Sequence, residues 1–216
     1  MRSSTLTATA LVAVLGLTAC TSEEPTPTPS TDEATSSGGT TTDDGLEGGP
    51  GTNGWMCQYA SPDAVSAVAG EEPTTVRELV VQDDAEGWVC QVLVGGAGEQ
   101  ETVLTVSVLL GEEYRDAARA RAESADGAEP GPAYLGVSFL SPGLVTGLTL
   151  CTAPDAARSD DRIPYTLVAE SLAETGEDAT DALRATLGEA ARSLDQGLGC
   201  SPQAALAEDA ATTTAP

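Results

Sequence analysis

The chain contains no histidine, no lysine and a single phenylalanine, and only 3% of its 216 residues are aromatic. Each absence removes a class of chemistry. Without histidine there is no imidazole general base, no Ser–His or Cys–His nucleophile and no imidazole metal ligand. Without lysine there is no Schiff base and no Ser–Lys dyad. Phosphate-cradling and dinucleotide-binding glycine loops are missing, as is the Gly-x-Ser-x-Gly nucleophile turn, so no cofactor is expected. Positive charge is also scarce, with 9 basic residues against 34 acids and a net charge of −25. Nucleic acid is disfavoured as a partner, because phosphate contacts need clustered Lys and Arg. Direct docking of the folded part on anionic headgroups is disfavoured for the same reason. The acidity reads as solubility and self-repulsion, and no metal site is expected.

Of the common catalytic kits only a carboxylate pair is left. Its candidates are Asp83, Asp84, Glu86, Asp160 and Asp161, all in expected loops. Exposed loop acids are ordinarily solvated, and the few aromatics argue against a sugar-stacking cleft. The expectation is a protein that is not an enzyme.

What the chain does have begins with "MRSSTLTATALVAVLGLTAC". One Arg, an apolar stretch too short to span a bilayer, and small residues before a cysteine form the layout of a secretory signal. Leu17-Thr18-Ala19-Cys20 resembles the lipobox of bacterial lipoproteins. The resemblance implies cleavage after residue 19, a diacylglyceryl group on the Cys20 thiol, and a bilayer as the first partner. At ~0.8 kcal/mol per buried CH₂, two acyl chains hold such a protein stably where one is marginal. Residues 20–53, rich in Thr, Pro, Ser, Gly and acids, cannot bury enough apolar surface to offset ordering and are expected to form a disordered tether. As a coil its reach is on the order of 30 Å. Residues 54–200 make one domain, and 201–216 read as a frayed, disordered tail.

Beyond the anchor are Cys57, Cys90, Cys151 and Cys200, an even number in a domain expected to be exported. They read as two disulfides, since no pair has metal-ligand spacing. Four cysteines allow three connectivities. The expected one is Cys57–Cys90 with Cys151–Cys200, which staples each half of the domain to itself. Both tryptophans stand two residues before a cysteine, in "GWMCQ" and "GWVCQ". Trp55 and Trp88 could present aromatic faces to a sugar or peptide; packing beside the disulfides is the weightier reading, because large aromatics are usually well buried.

The pattern predicts an α+β fold, mainly an antiparallel sheet of about six strands with helices packed on it. Ser61-Pro62-Asp63 opens a helix that Gly70 stops, with Val65, Val68 and Ala69 inward. "TVRELVVQ" and "GWVCQVLVG" form a hairpin, and "ETVLTVSVLL" adds a strand whose Leu104, Val106, Val108 and Leu110 face the core. A helix over 112–124 follows, with Tyr114, Ala117, Ala118 and Arg121 on its inner face. Three more strands, "AYLGVSFL", "LVTGLTLCTA" and "IPYTLVAESL", precede a helix over 177–198 with a stripe from Leu183 to Leu198. The order is helix, three strands, helix, three strands, helix.

Lipobox, Thr/Pro-rich tether, paired cysteines and closing amphipathic helix together resemble the small cell-envelope lipoproteins of high-GC actinobacteria. Some of those are similar to extracytoplasmic sensor domains of Ser/Thr kinases. The resemblance implies an exported, disulfide-bonded domain, anchored by lipid on the outer face of the cell membrane. It brings no catalytic residue. The expected function is a non-catalytic binding or sensor-like module for an envelope ligand or protein. The alternatives are a carboxylate-dependent envelope enzyme and a structural lipoprotein that binds other envelope proteins.

Overall fold

Ser61 and Pro62 begin the first helix as their chemistry dictates. The Ser61 hydroxyl accepts the Ala64 N–H at 3.1 Å, and Pro62 fills the first helical position, where no N–H is needed. Helix α1 (Pro62–Ala69) ends at Gly70 in the left-handed conformation and buries Val65 and Val68. A computed structural model describes residues 54–96, 98–153, 161–172 and 177–214. The leader, Cys20 with its lipobox, the tether over 20–53 and Asp160 lie outside the described residues.

Strands β1 (Val76–Asp84), β2 (Gly87–Val94) and β3 (Glu101–Leu110) form an antiparallel meander. Helix α2 (Glu112–Glu123) follows. The chain then adds β4 (Glu129–Pro130), a 3₁₀ turn at Ala133–Leu135, and the strands β5 (Val137–Ser141), β6 (Leu144–Thr152) and β7 (Arg162–Ser171). Helices α3 (Glu177–Leu198) and α4 (Pro202–Thr214) complete it. The strand order is β1-β2-β3-β7-β6-β5-β4, antiparallel at every pairing. The two meanders therefore join through β3 and β7, with Val106 opposite Ala169 and Val108 opposite Leu167.

The α+β class, the antiparallel sheet and the two disulfides agree with the sequence reading; the details differ in three places. The sheet has seven strands among the described residues, because Glu129–Pro130 pairs with Phe139 and Leu140. "AYLGVSFL" is not strand throughout. Its first three residues form the 3₁₀ turn, and Gly136, at φ 81°, redirects the chain into β5. The segment after Cys200 is helical, where a frayed tail was expected. Its support is tertiary: Ser201 N–H donates to Leu150 O at 2.7 Å, Ala205 is buried, and two ion pairs reach back to α2.

The core lies between one sheet face and helices α1 and α3. Val92, Leu104, Val106, Val145, Leu167 and Ala169 meet Val65, Val68, Leu183, Leu187 and Ala190, all at 2% exposure or less. Each fully buried Leu or Val contributes about 1.5–3 kcal/mol. The intervening residues of β3, Thr105, Ser107 and Leu109, point to the other face, which α2 covers.

Candidate functional site

The helix α2 stripe named from sequence, Tyr114, Ala117, Ala118 and Arg121, does face the sheet, but it does not seal against it. Opposite stand Thr105, Ser107 and Leu109 of β3, Val168 and Glu170 of β7, and Leu144 and Thr146 of β6. Alanine on the helix and Ser or Thr on the strands are too short to fill the space between the two layers. A groove of about 230 Å³ is left, with walls mainly of carbon.

Each end of the groove is fixed by a polar contact. At one end the Tyr114 hydroxyl donates to Glu86 Oε2 at 2.7 Å, tying α2 to the β1–β2 turn. That bond, with burial and the negative charge of Glu86, Glu113 and Asp84, pushes the Tyr114 pKa up to about 12. At the other end Arg121 is ion-paired with Glu170. Beneath α2, on the same face as Val168 and beside Leu109, Thr166 is fully buried, and its Oγ1 has no hydrogen-bond partner.

A second cavity, of about 300 Å³, lies between α2 and α4. Arg115 and Arg119 line it and are committed to Glu208 at 2.6 Å and Asp209 at 2.7 Å. It is a seam between ion-paired helices. A wider depression of about 680 Å³ runs along α3 below Tyr134, whose ring lies against Gly188 and is half exposed.

The residues proposed from sequence are distributed as follows. Cys57–Cys90 and Cys151–Cys200 are the disulfides. Cys57 and Gln58 take left-handed backbone angles (φ 48° and 62°), and the Cys57 N–H donates to Glu78 Oε2 at 2.6 Å. Cys57, Glu78 and Cys90 place potential metal-donor atoms within 4.8 Å, but both sulfurs are bonded to each other. Trp88 is half-buried on β2 against the core, edge-to-face with Tyr59 at 5.7 Å. Trp55 is also half-buried, and neither ring lines a cavity described above.

Among the candidate acids, Asp84 serves the hairpin turn. Its Oδ1 accepts from Gln82 Nε2 and from the N–H groups of Glu86 and Gly87. The Gln82 bond and then the Glu86 amide hold its carboxyl below the usual range, the opposite of what a general acid requires. Glu86 holds Tyr114, and Asp161 accepts the Ala153 N–H through its backbone carbonyl. The groove is half legible in sequence: the α2 stripe is visible as an inner helix face, but not the short side chains opposite that leave it unfilled. No protein-family model matches this chain, and neither a curated protein nor a solved structure matches it.

Proposed function

We propose that this chain is an exported, lipid-anchored, non-catalytic binding module of the bacterial cell envelope, sensor-like in build, and that its ligand enters the groove between α2 and the sheet. Cys20 carries the acyl chains, and residues 20–53 hold the domain away from the membrane. The groove carries the reading: a slot lined mainly by carbon, edged by Ser and Thr hydroxyls and an Arg–Glu pair, suits a slim ligand with an apolar body and few polar groups. The missing histidine and lysine, and the structural use of Asp84 and Glu86, support binding over catalysis. Among the described residues no helix is long and apolar enough to cross a membrane, so attachment in this reading rests on Cys20.

Thermal unfolding with a panel of envelope lipids, muropeptides and glycans tests the binding. A ligand at about 100 times its dissociation constant adds roughly 2.7 kcal/mol, a rise of several degrees. Ala117→Trp fills the groove from an exposed helix position and is expected to abolish that rise while leaving the fold intact. A flat response across the panel, or a rise that Ala117→Trp leaves unchanged, refutes the groove. The anchor is tested separately: Cys20→Ser is expected to remove palmitate labelling and release the protein from membranes. Membrane retention of that variant refutes the anchor.

A further inference from the structure

The two edges of the sheet differ. Strand β4 closes one with two residues, one of them Pro130, which has no N–H to offer. Strand β1 forms the other with nine, and among the described residues no strand pairs with its outer side. An edge strand aims every second N–H and C=O away from the sheet, a template for a further strand. At its centre Leu79, Val80 and Val81 are 43%, 47% and 50% exposed. They are three of the five large hydrophobics exposed among the described residues, and they are consecutive. The register with β2 shifts between Val80 and Gln82, so Val81 is an extra residue at a bulge. A bulge twists an edge and by itself discourages pairing, as charge or proline does; this edge has the bulge but neither charge nor proline from Leu79 to Val81. It places three apolar side chains there.

We propose that β1 docks an extended segment of a partner protein, which adds an eighth strand and is apolar at its centre and rich in Arg or Lys toward both ends. The charge comes from the flanks. From Glu71 to Glu86 the chain carries six acids and one base, Arg77. Glu71, Glu72 and Glu78 lie toward one end of the strand, and Asp83, Asp84 and Glu86 toward the other. Glu78, Asp84 and Glu86 already accept hydrogen bonds from Cys57, the hairpin turn and Tyr114. A basic-flanked segment that covers the Leu79–Val81 centre therefore meets Glu71 and Glu72 toward one end and Asp83 toward the other. A second copy of this chain would instead bring the same acids and a net charge of −25. The paired length is about 30 Å at ~3.3 Å per residue. The inference does not rest on the groove, which lies under α2, and the two can fail separately.

Three labelled nonapeptides test it against the full chain by fluorescence anisotropy. The first has a Val-Thr-Val centre with Arg and Lys toward its ends. The second exchanges those bases for Glu, and the third puts Pro at the central position. The basic peptide is expected to bind saturably, about tenfold more tightly than either of the others, and about threefold more weakly once ionic strength is raised to roughly 0.5 M. Val81→Lys is expected to weaken it about tenfold without moving the thermal midpoint, because Val81 is half exposed. Ala117→Trp is expected to leave it unchanged. Three results overturn the proposal: no saturable binding of the basic peptide, equal binding of the Pro peptide (charge without strand pairing), or loss of binding in Ala117→Trp. Sedimentation showing a dimer that Val81→Lys dissolves also overturns it, by assigning the edge to a second copy.

Discussion

Removing the Cys151–Cys200 bond by the paired substitution Cys151→Ala, Cys200→Ala is expected to destabilise the domain in two ways. The bond joins residues 49 apart, and loop-closure entropy for that span gives about 4 kcal/mol at 25 °C. For a folded unit of this size that lowers Tm by about 8–16 °C. The second effect is local. Cys200 is the last residue but one before α4, so the bond fixes the root of that helix. Without it, α4 keeps the Ser201–Leu150 bridge, the buried Ala205, and ion pairs from Arg115 and Arg119. Those pairs are partly exposed and contribute at most about 1 kcal/mol each. Backbone amides of α4 are therefore expected to exchange with solvent well before the sheet unfolds. Thermal unfolding followed by circular dichroism measures the first effect, and hydrogen exchange read by mass spectrometry measures the second. A Tm within about 3 °C of the parent, with α4 still protected, would refute the reasoning: the β6–β7 pairing would then hold that end without the crosslink.

Tyr114 retains its proton in the folded state up to about pH 12, chiefly through its hydrogen bond to Glu86, so the stability this contributes is present below pH 10 and lost as pH rises toward 12. Ultraviolet titration of the Glu86→Ala variant is expected to show one tyrosine moving back toward 10; an unchanged curve means the bond is not made in solution. Gly136→Ala is expected to destabilise by about 3 kcal/mol or more in urea, because its φ is 81° and an added Cβ would stand 2.0 Å from the Leu148 carbonyl oxygen. A change under about 1 kcal/mol would show that the turn relaxes freely. Ser61→Ala is expected to lose about 1 kcal/mol and Ser61→Asp close to nothing, since either oxygen can accept the Ala64 N–H; equal losses in both would rule out capping.

The elements whose cause is local could be read from sequence. Helix α1 carries its start and stop in Ser61, Pro62 and Gly70, and α3 carries its core face in Leu183, Leu187, Ala190 and Leu194. The disulfide partners followed from keeping each half to itself. Helix α4 could not be read, because its Ala- and Thr-rich sequence has no Leu stripe, and one ion pair that holds it, Arg115–Glu208, spans 93 residues. Nor could the insertion of β7 beside β3, which brings the last strand into the middle of the sheet. The groove has the same kind of origin. Tyr114, Ala117, Ala118 and Arg121 are spaced as any inner helix face is, and only the Ser and Thr side chains of β3 and β6 opposite them leave it unfilled.

Each disulfide joins a cysteine of the folded part to the next one along the chain, Cys57 to Cys90 and Cys151 to Cys200. Under the proposed export, thiols leave the membrane in that same order, and acylation takes Cys20 out of the thiol pool. An oxidant acting on each thiol as it arrives then makes the native pairs directly. The first bond can close around α1, β1 and the start of β2 while β7 is still in transit. On that route wrong pairs, and the seconds to hours needed to reshuffle them, would be avoided by the order of emergence. If the chain is exported as proposed, a cell that oxidises thiols without rearranging them would suffice to make its two bonds.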